Sequence, residues 1–323
     1  MTVQRSFSDL EQDAKRKRTR REVFLDEMSK VVPWTALEAL IEPHYPRAGK
    51  GRHPYALSTM LRVHMLQQWY ALSDPAMEET LYETPSMRNF ADLSLTRGSI
   101  PDETTILNFR HLLERHSLAD RILATVNALL VQKGLMLKQG TIVDATIIAA
   151  PSSTKNATGT RDPAMHQTRK GAQWYFGMRA HVGTDIGRGL VHTVVGTAAN
   201  ESDVASAHAL LHGGESVVFG DAGYQGVEKR EENQNTAVEW LVAMRPGKRR
   251  ALGNDRIGRQ QERIEHRKAR IRARGEHAFR VLKRQFGYVK VRYRGLAKNT
   301  QQLRTLFALV NLWMTRKAVL DPG

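Results

Sequence analysis

One stretch, Gly140-Thr-Ile-Val-Asp-Ala-Thr-Ile-Ile-Ala-Ala150, constrains this chain more than any other. Its β-branched residues favour a strand, and so apolar a run belongs inside a sheet. Period two puts Ile142, Asp144, Thr146 and Ile148 on one face, so a carboxylate is carried into that sheet. Asp is depleted in strands because its charge costs free energy there unless something polar meets it. Two readings fit Asp144: a site residue, or a strand-end carboxylate bonded to neighbouring backbone.

The residues before this strand have another texture. Residues 22–135 read as an all-helical domain. Leu57, Met60, Leu61 and Met65 recur at helical spacing, Asp74-Pro75 fits a helix start, and Pro101-Asp102-Glu103 places acid in another first turn. A DNA-binding or assembly domain and a plain helical scaffold both fit this pattern. After the strand, the Ser/Thr/Asn/Arg-rich segment 151–173 reads as a mobile loop. Two strands follow at 174–182 and 189–197, with Trp174, Tyr175 and Phe176 read as core aromatics ahead of the alternative that they stack bases. A helix capped by Asn200 and Asp203 and running to His212, a strand at 215–220, a polar helix, a strand at 238–244 and one long basic helix at 258–286 complete the order. The fold class is therefore α/β, a mixed sheet flanked by helices over residues 136–300, with a C-terminal helix within 301–323 packing on it.

Charge narrows the partner. Forty-nine Lys and Arg against 33 Asp and Glu leave +16, and residues 245–304, with 20 basic and 4 acidic residues, hold the whole excess. Such a patch favours polyanions through phosphate contacts and counterion release, so nucleic acid is the expected partner class. Residues 1–21 form a second basic segment, for which a phosphate-binding arm and a solvated tail are equally good readings. With no cysteine, disulfides, thiolate catalysis and cysteine-ligated metals are excluded. The chain shows neither a signal peptide nor a membrane-length apolar run, so a cytoplasmic, nucleoid-associated protein without membrane partners is expected. No P-loop sequence occurs. His208 and His212, four apart, lack the metalloprotease glutamate between them and read as surface histidines.

Two more acids stand out. Asp221 follows a strand and precedes Gly223, where it can serve chemistry or an Asx turn. Glu276 lies in the middle of the basic helix with Arg272, Arg280 and Lys283 on its face and Ile264, Ala278, Leu282 and Phe286 opposite; alone, it fits an exposed ion pair as well as a site. The chain order is strand Asp, strand-end Asp and late-helix Glu. Together with Val143-Asp144-Ala145-Thr146, Asp221-Ala222-Gly223-Tyr224, the spacing Arg272-x3-Glu276-x6-Lys283 and the stretch from Tyr45-Pro46 to Phe109-Arg110, it resembles bacterial insertion-sequence transposases of the DDE class, most closely the group named after insertion sequence 5. That group has a tyrosine three positions before the arginine, where this chain has Ala269. The resemblance implies a ribonuclease-H-like catalytic domain. In it Asp144, Asp221 and Glu276 are catalytic and bind two divalent ions, Mg2+ or Mn2+, while Arg272 and Lys283, with Arg280 beside them, contact transposon-end DNA. It further implies metal-dependent cleavage at the terminal inverted repeats and strand transfer into target DNA by a synaptic homo-oligomer. A DNA nuclease without strand transfer and a non-catalytic DNA-binding regulator are the alternatives.

Overall fold

A computed structural model describes residues 17–49, 53–96, 98–234 and 237–321. The chain divides into two units, Met1–Val126 with Leu312–Gly323, and Asn127–Asn311. The described residues of the first unit are helical. Thr19 forms a capping box with Glu22 on the helix Arg20–Val31, so Arg20 and Arg21 open a helix rather than ending a free arm; Lys15 and Arg16 lie outside the described residues. Ser73 caps Asp74–Glu83, and Asp102 caps Glu103–Arg115 by accepting from the Thr105 amide at 2.7 Å. Leu57–Tyr70 is buried almost all round, which is why its apolar spacing is blurred in the sequence. No helix among the described residues is long and apolar enough to cross a membrane.

In the second unit, β1 (Gly140–Ala149), β2 (His166–Lys170), β3 (Gln173–Asp185), β4 (Val191–Ala198), β5 (Val217–Gly220) and β6 (Glu239–Val242) form one six-stranded mixed sheet. β3 runs antiparallel to β1 along one edge; its other edge holds β2 beside the first half and β4 beside the second. β5 and β6 continue from β1 in parallel. The segment 151–173 is thus not all loop, because its end forms β2. Trp174 pairs with Arg169 of that outlying strand and is 65% exposed, not a core aromatic. The helix expected to reach His212 shortens to Asp203–Ser206, capped by Ser202, followed by a 3-10 turn at His208–Leu210.

The β3–β4 turn is closed by Asp185, whose buried carboxylate accepts from the amides of Gly187 and Arg188 at 3.1 Å and of Leu190 at 2.7 Å. Gly189 adopts φ +72° there, and a Cβ on it would lie 2.1 Å from the Arg274 carbonyl oxygen. Arg274 returns the contact, its Nη1 donating to the Ile186 carbonyl at 2.5 Å.

This contact accompanies a break in the basic helix. Arg256–Arg272 stops, Ala273-Arg274-Gly275 make tight turns, Glu276–Arg280 resumes, and Val281–Gln285 is a π turn. Gly275 lies against β1 and β3, where a Cβ would come 3.3 Å from Ile142 Cγ2 and 3.2 Å from Thr184 Oγ1. Glu276 therefore opens a short helix instead of occupying the middle of a long one. The rotation also undoes part of the expected apolar stripe: Ile264 is exposed, and Glu265 is the buried residue, accepting from the Met244 amide and Lys268 Nζ. The last helix, Leu296–Leu320, belongs to the second unit as far as Asn311 and to the first from Leu312 onward. Asn311 pairs with the backbone of Val191 in both directions, anchoring the start of β4.

Candidate active site

The parallel ladder of β1 and β5 pairs Ile142 with Phe219. Asp144 and Asp221 lie two residues beyond that pair, Asp144 still within β1 and Asp221 at the turn where β5 has ended. Each carboxylate takes a local backbone donor: Asp144 Oδ1 accepts from the Ala145 amide and Asp221 Oδ1 from the Gly223 amide, both at 2.7 Å. The backbone-bonding readings of the two residues are thus realised, and each uses one oxygen only. β5 is short and ends at Gly220 because the chain must turn there. A Cβ on Gly220 would come within 3.0–3.2 Å of the Tyr224 side chain, which folds back beneath the turn.

Glu276 and Arg272 approach from the broken helix. The Asp144 carboxyl is pushed up to about 6, chiefly by burial and further by the charges of Asp221 and Glu276; the Ala145 amide and Arg272 oppose the rise. Asp221, Glu276 and Arg272 are therefore all within electrostatic reach of Asp144. Among the described residues the three acids do not draw their oxygens within 4.8 Å of one another, but Asp144, half-buried and under the charge of two other carboxylates with one arginine to offset them, is short of positive charge.

The other basic candidates part company. Lys283 is half-buried and its Nζ donates to Thr146 Oγ1 at 2.6 Å and to the Ile147 carbonyl at 3.0 Å, so it grips β1 two residues beyond Asp144. Burial and the nearby Lys170 hold its pKa below the usual lysine value. Arg280 is exposed on the short helix.

Four residues that sequence reasoning passed over surround the two aspartates. Arg179 of β3 donates to Asp203 Oδ1 at 2.5 Å, and His181 Nδ1 lies 3.6 Å from the same oxygen. A Cβ on Gly223 would be 3.7 Å from Asp203 Oδ2, which puts that carboxylate beside the Asp221 turn. Tyr224 is buried, and its hydroxyl has no hydrogen-bond partner. Burial, then Asp203, Asp144 and Asp221, hold it well above the ordinary tyrosine value, against Arg179. Asp203 reads in sequence as a helix cap, a role Ser202 takes instead. Arg179 and His181 carried no signal beyond strand periodicity, and Tyr224 stood out only as part of the Asp221 motif.

The chain matches the Transposase DDE domain family over residues 136–312 and a second transposase-domain family over residues 12–112. No solved structure matches it. Residues 136–312 include every strand of the sheet and all three acids. The β4–β3–β1–β5–β6 order, antiparallel then parallel, is the ribonuclease-H-like arrangement of that domain. The match spans more than half of the chain, which belongs to the DDE-domain transposases.

Proposed function

We propose that this transposase is an insertion-sequence enzyme of the group named after insertion sequence 5, which cleaves DNA at the element's terminal inverted repeats and joins the ends to target DNA. The observation that carries the reading is the matched DDE domain with Asp144 on β1 and Asp221 at the end of the neighbouring strand β5, where burial and the charges of Asp221 and Glu276 act on Asp144 and Arg272 opposes them. Asp144, Asp221 and Glu276 are its catalytic carboxylates. They supply hard oxygen donors only, which suits the divalent metals that DDE transposases use, Mg2+ or Mn2+, as a pair of ions. When bound, such ions supply Lewis acidity to the attacking and leaving oxygens at phosphorus.

The remaining work falls to the chain's own side chains. Asp144 and Asp221, on neighbouring strands and each tied by one oxygen to the backbone, would hold the ions through the other oxygen. Glu276 closes the set from the helical side. Arg272 offsets the acids and steadies a phosphate brought among them. Arg280 and the wider basic segment hold the end DNA, and Lys283 both braces β1 and directs positive charge toward the strand. The helical unit reads the ends or assembles the synaptic homo-oligomer, and the enzyme works in the cytoplasm at the nucleoid. The test is a paired assay with terminal-repeat DNA and Mg2+: intact ends report cleavage, and pre-nicked ends report joining to a target plasmid. Both products are expected. Cleavage without joined product would reduce the protein to a nuclease, and binding without either would make it a regulator.

A further inference from the structure

A second cluster lies in the same unit. His192 stands on β4, and His212 and Glu215 flank the turn that leads into β5; each offers one ligand atom, and these atoms all lie within 4.8 Å of one another. Thr141 of β1 ties the cluster together, its Oγ1 donating to Glu215 Oε1 at 3.0 Å and lying 3.0 Å from His192 Nε2. Glu215 Oε1 also accepts from the His212 amide at 2.6 Å and lies 3.4 Å from His212 Nε2. Both Nε2 atoms thus face the Thr141–Glu215 pair.

The other oxygen is anomalous. The Glu215 side chain is fully buried, and its Oε2 has no hydrogen-bond partner. The donors around Glu215 converge on Oε1 and leave Oε2 buried without one, an oxygen that a cation among the three side chains would partner. We propose that His192, His212 and Glu215 form a zinc-class transition-metal site, distinct from the three acids.

Donor chemistry selects the ion. Two imidazoles and one carboxylate suit Zn2+, leaving a fourth position open, and they do not suit Mg2+, which takes oxygen donors. His192 Nδ1 can donate to Thr193 Oγ1 at 2.9 Å, the outer contact a ligating ring makes, whereas His212 Nδ1 accepts from the Gly214 amide at 3.2 Å, a bond that ligation through Nε2 gives up as the ring proton moves to Nδ1. Ligation exchanges the Thr141–His192 hydrogen bond for a metal bond and leaves the Thr141 hydroxyl on Glu215. The His212 side chain is 20% exposed, which gives an ion a route from solvent. Thr141 and Asp144, three residues apart on one strand, face opposite sides of the sheet, so an ion here clamps β4 and the loop before β5 to β1 from behind the acids.

The site is tested on the full-length protein with Co2+ as a spectroscopic probe and Zn2+ as competitor, in excess Mg2+ to occupy the acids. The expected result is one equivalent of Co2+ giving ligand-field bands of a low-coordinate N/O site, bleached by Zn2+, and a Zn2+-dependent rise in thermal midpoint. His212→Ala and Glu215→Gln should each weaken Zn2+ by roughly 100-fold or more, above the usual effect of losing an outer-shell partner, while Asp221→Asn leaves the bands intact. Absence of the bands from the wild-type protein, or their persistence in His212→Ala, overturns the assignment. Should Glu215→Gln fail to fold, the partly exposed His212 decides the matter. Loss of the bands in Asp221→Asn alone would instead place the ion among the acids.

Discussion

The two faces of β1 solve opposite problems. On one, burial, with the charges of Asp221 and Glu276, raises the Asp144 pKa, and the arrangement opposes folding until a cation enters. On the other, Thr141 and Glu215 sit in a buried network whose hydrogen bonds are satisfied apart from one oxygen. The first face keeps charge poised for chemistry; the second stores polarity in support of the sheet. Removing a carboxylate should therefore raise stability on the first face and lower it on the second, and should cost activity on the first only.

The largest expected effect is on turnover. Asp144→Asn, Asp221→Asn and Glu276→Gln should each lower end cleavage by about 10³-fold or more in a gel assay, whereas Glu215→Gln in a folded sample should retain most of it. A Glu215→Gln loss as deep as that of Asp144→Asn would erase the distinction between the faces.

Next comes the pH response of the histidine face. Burial, assisted by His212 and against Glu215, lowers the His192 pKa to about 3 from 6.5. The unfolded chain binds that proton below 6.5 and the folded chain does not, so this contribution is complete above pH 6.5 and is lost as pH falls toward 3. Denaturation midpoints measured without metal from pH 7 to 4 should show a decline of roughly 3 kcal/mol from this residue, reduced in His192→Gln. A curve unaffected by that substitution would mean that the ring is not held neutral by the fold.

A sharper comparison pairs two isosteric changes. The Asp144 pKa lies above the ordinary aspartate value of 3.8, at about 6, so ionisation opposes folding increasingly between those values and fully above them. Asp144→Asn should stabilise the metal-free protein at pH 7 by on the order of 1–3 kcal/mol. Glu215 is the reverse. Burial alone would raise its pKa, but the His212 amide, its own amide, Thr141 and His212 hold it below the ordinary value, so its contribution is present at neutral pH and lost in acid. Glu215→Gln should cost about 1–3 kcal/mol. Chemical denaturation in chelator measures both, and equal signs would contradict the contrast. The smallest effect belongs to exposed Arg280: Arg280→Ala should leave stability within about 0.5 kcal/mol and lower the salt slope of end binding by about one.

Much of the acid face is legible in the sequence. A β-branched run with Asp144 inside it and Asp221 at a strand end next to glycine announce a sheet whose strand ends carry charge. The break before Glu276 is only faintly legible: Gly275 is the one poor helix former between Arg270 and Arg280, and the chain packs there against Gly189, 85 residues before Arg274. β2 was hidden in a polar segment because both its faces are largely exposed, leaving no apolar alternation to read. The histidine face was invisible for a related reason. His192 and His212 come from different elements, and the pairing with Glu215 exists only once β4 and the β5 approach lie beside Thr141.

The turn around Gly189 has a reach beyond its size. Since Arg274 is held to Ile186 and stacked on Gly189, the position of Glu276 is set by a hairpin elsewhere in the chain rather than by the helix that bears it. Lengthening that hairpin by a single residue would detune the third carboxylate while leaving all three acids unchanged, giving evolution or an engineer a volume control for the enzyme that lies outside its catalytic motif.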